Sequence, residues 1–276
     1  MSTTLFDIRI CIRGAGDLAS GVALRLYRCG FRHLLMTEIA TPLAVRRMVS
    51  FCEAVHEGNW QVEGVSSRRV TTLGEAFESW DQQAIPVMVD PENAVRLEYF
   101  PEVIVDAIMA KRNLGTAISQ AELVIGLGPG FEAGRDVHVV VETQRGHDLG
   151  RIILEGCACP DTGTPGDIGG KTAQRVLRAP TDGVFESDLA IGSVVQLGET
   201  IGYISGVPVT TNTDGVIRGL IRPGTFVPSG LKIGDVDPRR EIPFCFTVSD
   251  KARAIAGGVM EAILTHCYNK HRQTSN

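Results

Sequence analysis

The chain lacks most of what would mark a secreted, membrane-spanning or nucleic-acid-binding protein. It contains no Cys-x-x-Cys, and its seven cysteines are an odd number. That count and spacing argue against a disulfide framework and leave reduced thiols as the expectation. Cys157 and Cys159, the closest pair, are spaced too tightly for a usual zinc knuckle. No apolar run is long enough to span a bilayer, so no membrane partner is expected. The opening residues MSTTLFD show no basic region followed by an apolar run. A cytoplasmic location is therefore expected rather than export. The net charge of -5 offers no surplus of Lys and Arg to a phosphate backbone, which argues against nucleic acid. No His/Cys/carboxylate cluster has metal-ligand spacing, so no metal site is expected, and no Ser-His-Asp pattern is legible.

What is present is a globular composition. Hydrophobic residues make up 43% and charged residues 21% of 276. One large or two ordinary domains are expected, with core enough to need neither disulfides nor a structural metal.

The most informative stretch is 8–19, Ile-Arg-Ile-Cys-Ile-Arg-Gly-Ala-Gly-Asp-Leu-Ala. An apolar strand runs into a turn in which Gly14, Gly16 and Ala19 fit G-x-G-x-x-G/A. That turn lets a pyrophosphate approach backbone N–H groups at a helix start. A helix is expected from about Leu18, with Leu18, Val22 and Leu26 on one stripe and Gly30 as its stop. A second strand, 34–37, leads into Glu38, about 20 residues after the turn. An acid there can accept bonds from a ribose 2′-OH and would repel a 2′-phosphate, favouring NAD or another adenine nucleotide over NADP. Asp17 can cap the helix, but it also lies close to where phosphates would sit.

Residues 42–56 read as a helix with Pro42 in its first turn. The runs 87–90 and 103–107 read as parallel strands ending in acid, so Asp90 and Asp106 are expected at the carboxyl edge or as caps. The strand 123–127 opens into a second glycine turn, Gly128-Pro129-Gly130. No Gly-Lys-Ser/Thr follows, so it is no phosphate loop, though its backbone could approach a ligand. Residues 137–142 read as a further strand. Residues 156–170 hold too many glycines and prolines for a regular element and read as a connection or lid. From 176 short β runs alternate with turns. Within them G-x-x-V-x-x-G-x-x-I-G occurs twice, at 192–202 and 224–234, as expected of two similar units completing one small barrel. A helix capped by Ser249 or Asp250 closes the chain.

The fold class read from this is α/β. It comprises a Rossmann-like parallel sheet over 1–175 and a small all-β domain over 176–240. A C-terminal helix over 241–276 returns to the α/β part.

Several ordered motifs resemble the YqeB-type accessory proteins of the selenium-dependent molybdenum hydroxylase system, related to the XdhC/CoxI group. They are Arg13-Gly-Ala-Gly-Asp-Leu-Ala-Ser-Gly21, Met109-Ala-Lys-Arg-Asn113, Gly126-Leu-Gly-Pro-Gly-Phe131, Glu142-Thr-Gln-Arg-Gly-His147 and Gly163-Thr-Pro-Gly166. The resemblance implies help in maturing a molybdenum hydroxylase apo-enzyme, with a nucleotide or molybdenum pterin cofactor bound and homo-oligomers open. Residues 177–236 resemble a biotinyl/lipoyl-type barrel-sandwich. Ser205-Gly-Val-Pro-Val209 stands where a carrier would present its lysine, so a structural or docking role is expected. An NAD-dependent oxidoreductase and an interaction scaffold that has lost its ligand are the alternatives.

A phosphate-bearing cofactor needs backbone N–H groups and cations. Gly14 and Gly16 can supply the first. Arg13, Lys111, Arg112 and Arg145 are candidates for the second, with Asn113 next to Lys111 and Arg112, and Gly128 and Gly130 are further candidates for backbone approach. Sulfur or selenium handling would need an exposed thiolate in electropositive surroundings. Cys157 and Cys159 are the first candidates, then Cys52, while Cys11 and Cys29 are expected in the core. His147 is a candidate base or ligand.

Overall fold

A computed structural model describes residues 5–163 and 166–274. Thr164 and Pro165 of the 163–166 motif lie outside the described residues. The chain divides into two compact units. One holds residues up to Ala40, Phe51–Asp161 and Val248 onward; the other holds Thr41–Ser50 and Thr162–Thr247.

In the first unit the strands are β1 (Ile10–Arg13), β2 (Leu34–Glu38), β3 (Asn59–Val62), β4 (Val65–Val70), β5 (Ala84–Val89), β6 (Val103–Asp106), β7 (Leu123–Leu127), β8 (Glu132–Ala133), β9 (Val139–Val141), β10 (Ile152–Ile153) and β11 (Gly156–Cys157). Its helices are α1 (Asp17–Arg28), α2 (Ala54–Glu57), α3 (Leu73–Asp81), α4 (Arg96–Tyr99) and α5 (Asp250–Thr274). Nine strands form one sheet in the order β10-β9-β7-β6-β1-β2-β5-β4-β3. The inner pairings are parallel and the two edge strands run antiparallel. The β1 residues Ile10, Cys11 and Ile12 are fully buried, as a strand covered on both faces requires. From β1 the chain winds to β2 and β5 on one side and to β6, β7 and β9 on the other. The order therefore reverses between β1 and β6, where open parallel sheets leave a crevice at the strands' carboxyl ends.

Helix α5 packs against α1, and at Gly21 an added Cβ would lie 2.8 Å from that of Ala252. Among the described residues no helix is long and apolar enough to cross a membrane.

The helix expected over 42–56 does not form. Residues 41–46 are irregular, two 3-10 turns follow at Arg47–Val49 and Phe51–Glu53, and only α2 is helical. Val45, Val49 and Val55 instead serve an irregular path that crosses from one compact unit to the other and back.

The second unit is all antiparallel: β12 (Val176–Arg178), β13 (Gly183–Glu186), β14 (Val194–Val195), β15 (Thr200–Ile204), β16 (Val207–Thr210), β17 (Gly215–Leu220), β18 (Phe226–Val227) and β19 (Lys232–Asp237). They make two four-stranded sheets, β12-β19-β17-β14 and β16-β15-β13-β18, around one core that includes Phe185, Ile201, Ile204, Val216, Ile217 and Val236. The two sequence repeats exchange sheets. The first runs from β14 into β15 and the second from β18 into β19, so each begins in the sheet where the other ends. Residues 166–175, expected with the α/β part, cluster here. Arg175 is 6% exposed and ion-paired to Asp235 of β19, and its Nε and Nη2 donate to the Gly166 carbonyl.

Candidate functional site

The G-x-G-x-x-A turn lies at the carboxyl end of β1, beside the reversal of strand order. Gly14 has φ +95°, and a Cβ there would meet the Ala107 carbonyl oxygen at 3.2 Å, so the loop after β6 lies directly against the turn. Gly16 is the residue before α1, with φ -72° and no side-chain hydrogen bond capping the helix. Nothing lies within 4 Å of a Cβ built on Gly16. Gly14 and Ala15 are buried while Gly16, Asp17 and Leu18 are half-buried. The turn's outer corner is thus open, and the first N–H groups of α1 are the donors nearest to it. Ala19 is 1% exposed and packs inside, as the third position of the motif requires.

Glu38 closes the turn from β2. Its carboxylate accepts from the Ala15 N–H at 2.9 Å and from the Ile39 N–H at 2.8 Å. Burial raises its pKa above the ordinary glutamate value, against the lowering by those two bonds. Asp17 opens α1, where an anion meets the positive end of the helix dipole.

Arg13 is not the phosphate cation the sequence suggested. It is 4% exposed, and its Nη1 donates to Asp106 at 3.1 Å and to the Thr116 hydroxyl. The Thr116 hydroxyl donates to the same carboxylate at 2.5 Å, and the Ile108 N–H adds a 3.2 Å bond. Asp106 is therefore a partner of Arg13 rather than a free group at the edge. Asn113 also turns inward: it accepts from the Thr116 N–H and donates to the Thr116 carbonyl. Lys111 and Arg112 are exposed. Lys111 is ion-paired to Asp161, and Arg145 to Asp250. Gly130 brings the second glycine turn to the Lys111–Arg112 backbone, with an added Cβ 2.7 Å from the Arg112 nitrogen. Gly128 faces the Thr143 side chain. The structure thus gathers the glycine turns and the 107–116 loop at one sheet end, but it spends Arg13, Asp106 and Asn113 on holding them there.

The thiols divide differently from expectation. Cys52, held in reserve for chemistry, is fully buried, and its N–H donates to the Ala15 carbonyl. Burial pushes the Cys11 thiol up to about 12, which fits a core residue. Cys29, expected in the core, is exposed at the end of α1. Cys157 and Cys159 are exposed. The electropositive setting wanted for a reactive thiolate is not found at Cys159. The Glu142 carboxylate hydrogen-bonds and repels it, raising its pKa. Glu142 is 3% exposed and accepts from the N–H groups of Thr143, Gln144 and Cys159. His147 is exposed.

Two hollows of the first unit lie elsewhere, one along the edge strands β3 and β4 and one beside the amino-terminal ends of β1, β6 and β7. One of about 570 Å³ is lined by Trp60, Arg68 and Gln82 among others, and one of about 520 Å³ by Arg9, Phe100 and Gln120 among others.

No family model matches the chain. Over 255 residues it is 48% identical to the uncharacterized protein YqeB of Escherichia coli (strain K12), a match covering 92% of this chain. The chain spans 47% of that relative's length. The resemblance to YqeB-type proteins is thus found over most of the present sequence. Solved structures show weaker likeness. TcdA (CsdL) aligns at 15% identity over 97% of this chain and 90% of its own, with a TM-score of 0.36. An aspartoacylase family protein from Mesorhizobium loti aligns at 11% identity over 83% of this chain and 84% of its own, with a TM-score of 0.28. A succinylglutamate desuccinylase/aspartoacylase from Rhodobacter sphaeroides aligns at 27% identity over 24% of this chain and 22% of its own, with a TM-score of 0.23. At these scores none transfers an activity to this chain.

These findings correct the expected role in maturing a selenium-dependent molybdenum hydroxylase. The structural neighbours named above include desuccinylase and aspartoacylase proteins and no molybdenum hydroxylase accessory protein, and the sequence relative is itself uncharacterized. That role, with its two alternatives, is not carried further.

Proposed function

We propose that the first unit binds an adenine nucleotide, NAD included, with its phosphates at the Gly14–Asp17 turn. The observation that carries the reading is the open corner at Gly16. It lies at an uncapped helix start beside the reversal of strand order, with Glu38 one strand away. Helix-start N–H groups and the helix dipole favour a phosphate there. Glu38 offers a carboxylate to the ribose hydroxyls and repels a 2′-phosphate. The pterin cofactor expected from the resemblance would present the same anionic group. For the second unit we read a barrel-sandwich with a structural or docking role, since the β15–β16 turn, Ser205-Gly206, carries no lysine.

The test is thermal stability with ADP, NAD, NADP or inorganic phosphate, on the unaltered chain and on Gly16→Val. The φ of -72° and the free space around a Cβ at Gly16 admit a side chain there, at the corner where the phosphates would sit. A ligand at a hundred times its Kd stabilises by about 2.7 kcal/mol. ADP and NAD are expected to raise the melting temperature of the unaltered chain, NADP to do so less, and Gly16→Val to melt normally but lose the response. A full response in Gly16→Val, or no response in either protein, defeats the proposal.

A further inference from the structure

Cys157 and Cys159 pose a separate question, because the nucleotide reading uses neither. Cys157 lies in β11, paired in register with Glu132 of β8. Ala158 is 5% exposed, whereas both neighbouring cysteines are exposed. An extended chain alternates its sides, so the two thiols share the outward face, with Cα atoms about 6.6 Å apart at roughly 3.3 Å per residue. A disulfide needs Cβ atoms about 3.5–4.5 Å apart, which would force the segment to bend. The Cys159 N–H is tied to Glu142 at 2.7 Å, and Ala158 is anchored in the core, so bending is opposed. An ion between two thiolates asks less. Its sulfurs stand roughly twice a metal–thiolate bond of about 2.3 Å apart, within reach of side-chain rotation alone.

We propose that Cys157 and Cys159 form a two-coordinate site for a soft monovalent cation of the Cu(I) type. Thiolates select soft ions. Among the described residues no group of three or more His, Cys, Asp and Glu side chains is placed to hold a metal, so zinc finds no tetrahedral cage. Binding forms two S–Cu bonds and breaks two S–H bonds. Both protons go to solvent, and no electron is transferred. The bis-thiolate complex carries one negative charge.

The experiment is an anaerobic titration of the whole chain with Cu(I) against a competing chromogenic Cu(I) chelator. It compares the unaltered chain with Cys157→Ser, Cys159→Ser and, as the control for an exposed thiol elsewhere, Cys29→Ser. Urea unfolding confirms that each variant folds. One equivalent taken up by the unaltered chain and by Cys29→Ser, and lost in each of the other two, is the expected result. X-ray absorption should show two sulfur neighbours per copper. Retention of that equivalent in Cys157→Ser or Cys159→Ser, its absence from the unaltered chain, or equal retention of Zn(II) overturns the proposal.

Discussion

Replacing Arg13 by methionine separates its two possible roles. If the guanidinium serves a ligand, stability should hardly change. If it serves Asp106, the substitution leaves a carboxylate only 2% exposed without its counter-ion. Removing one partner of a buried pair costs about 3–5 kcal/mol. The Thr116 hydroxyl and Ile108 N–H still reach Asp106, which puts the expectation near the lower end, about 3 kcal/mol. Removing both charges should recover much of it, because a buried ion pair replaced by apolar groups of similar volume is often near neutral. Arg13→Met with Asp106→Leu should therefore be more stable than Arg13→Met alone. Urea unfolding followed by tryptophan fluorescence reads this directly, since both tryptophans, Trp60 and Trp80, belong to the same compact unit as Arg13. A loss below about 1 kcal/mol in Arg13→Met, with nucleotide binding abolished, would refute the pairing argument and return Arg13 to the ligand.

Gly258→Ala in α5 should destabilise despite alanine's better helix propensity. An added Cβ would stand 2.1 Å from the Gly150 carbonyl oxygen, and overpacking of about 1–3 kcal/mol exceeds a propensity gain of about 1. Thermal unfolding reads the sign, and a rise in melting temperature contradicts the contact. Glu63, in the β3–β4 turn, gives an acid-side prediction. Burial would raise its pKa, but the Val248 N–H and the Arg28 and Arg253 guanidiniums outweigh burial and hold it below the usual range. Its stabilisation is therefore present above the unfolded glutamate pKa and fades as pH falls through the depressed folded value. Glu63→Gln should cost about 1 kcal/mol at pH 7, part of each bond being screened by solvent, and should flatten the loss of stability between roughly pH 5 and 3. Parallel pH profiles for the two proteins would contradict it.

The parallel sheet was legible because its strands carry their own signal. Runs such as 103–106 and 123–127 are apolar throughout, as strands buried on both faces must be. The β3–β4 hairpin and α3 were not recognised, although each left a mark. Glu63 and Gly64 both adopt positive φ, at 45° and 84°, a two-residue turn that an acid-glycine pair between alternating residues can announce. Thr72 caps α3 by accepting from the Glu75 N–H, and the Glu75 carboxylate reaches back to Thr71. That is the Thr-x-x-Glu pattern of a helix start, shifted by one residue on its return bond. The segment 42–56 failed for the opposite reason. Its spacing of apolar residues satisfies a helix, but its backbone bonds run elsewhere: the Val45 carbonyl accepts from the Leu220 N–H and the Cys52 N–H goes to Ala15. Periodicity records which side chains are buried, not what buries them.

At the site, the same limit decides which residues could be read. The glycines could be read as turn positions because only their conformation and size matter, and both are written locally. The pairing of Arg13 with Asp106 could not be read, because a charge announces a need for a partner without naming it. Arg13 and Asp106 lie 93 residues apart and are brought together by adjacent parallel strands in register, a pairing that no local window contains. Once paired, they cease to be ligand groups and become what fixes the 107–116 loop against Gly14. A sequence can thus show that glycine turns gather at one sheet end before it shows which of the charges there are already paired. The decisive measurement is whether a small side chain at position 16 keeps the guest out.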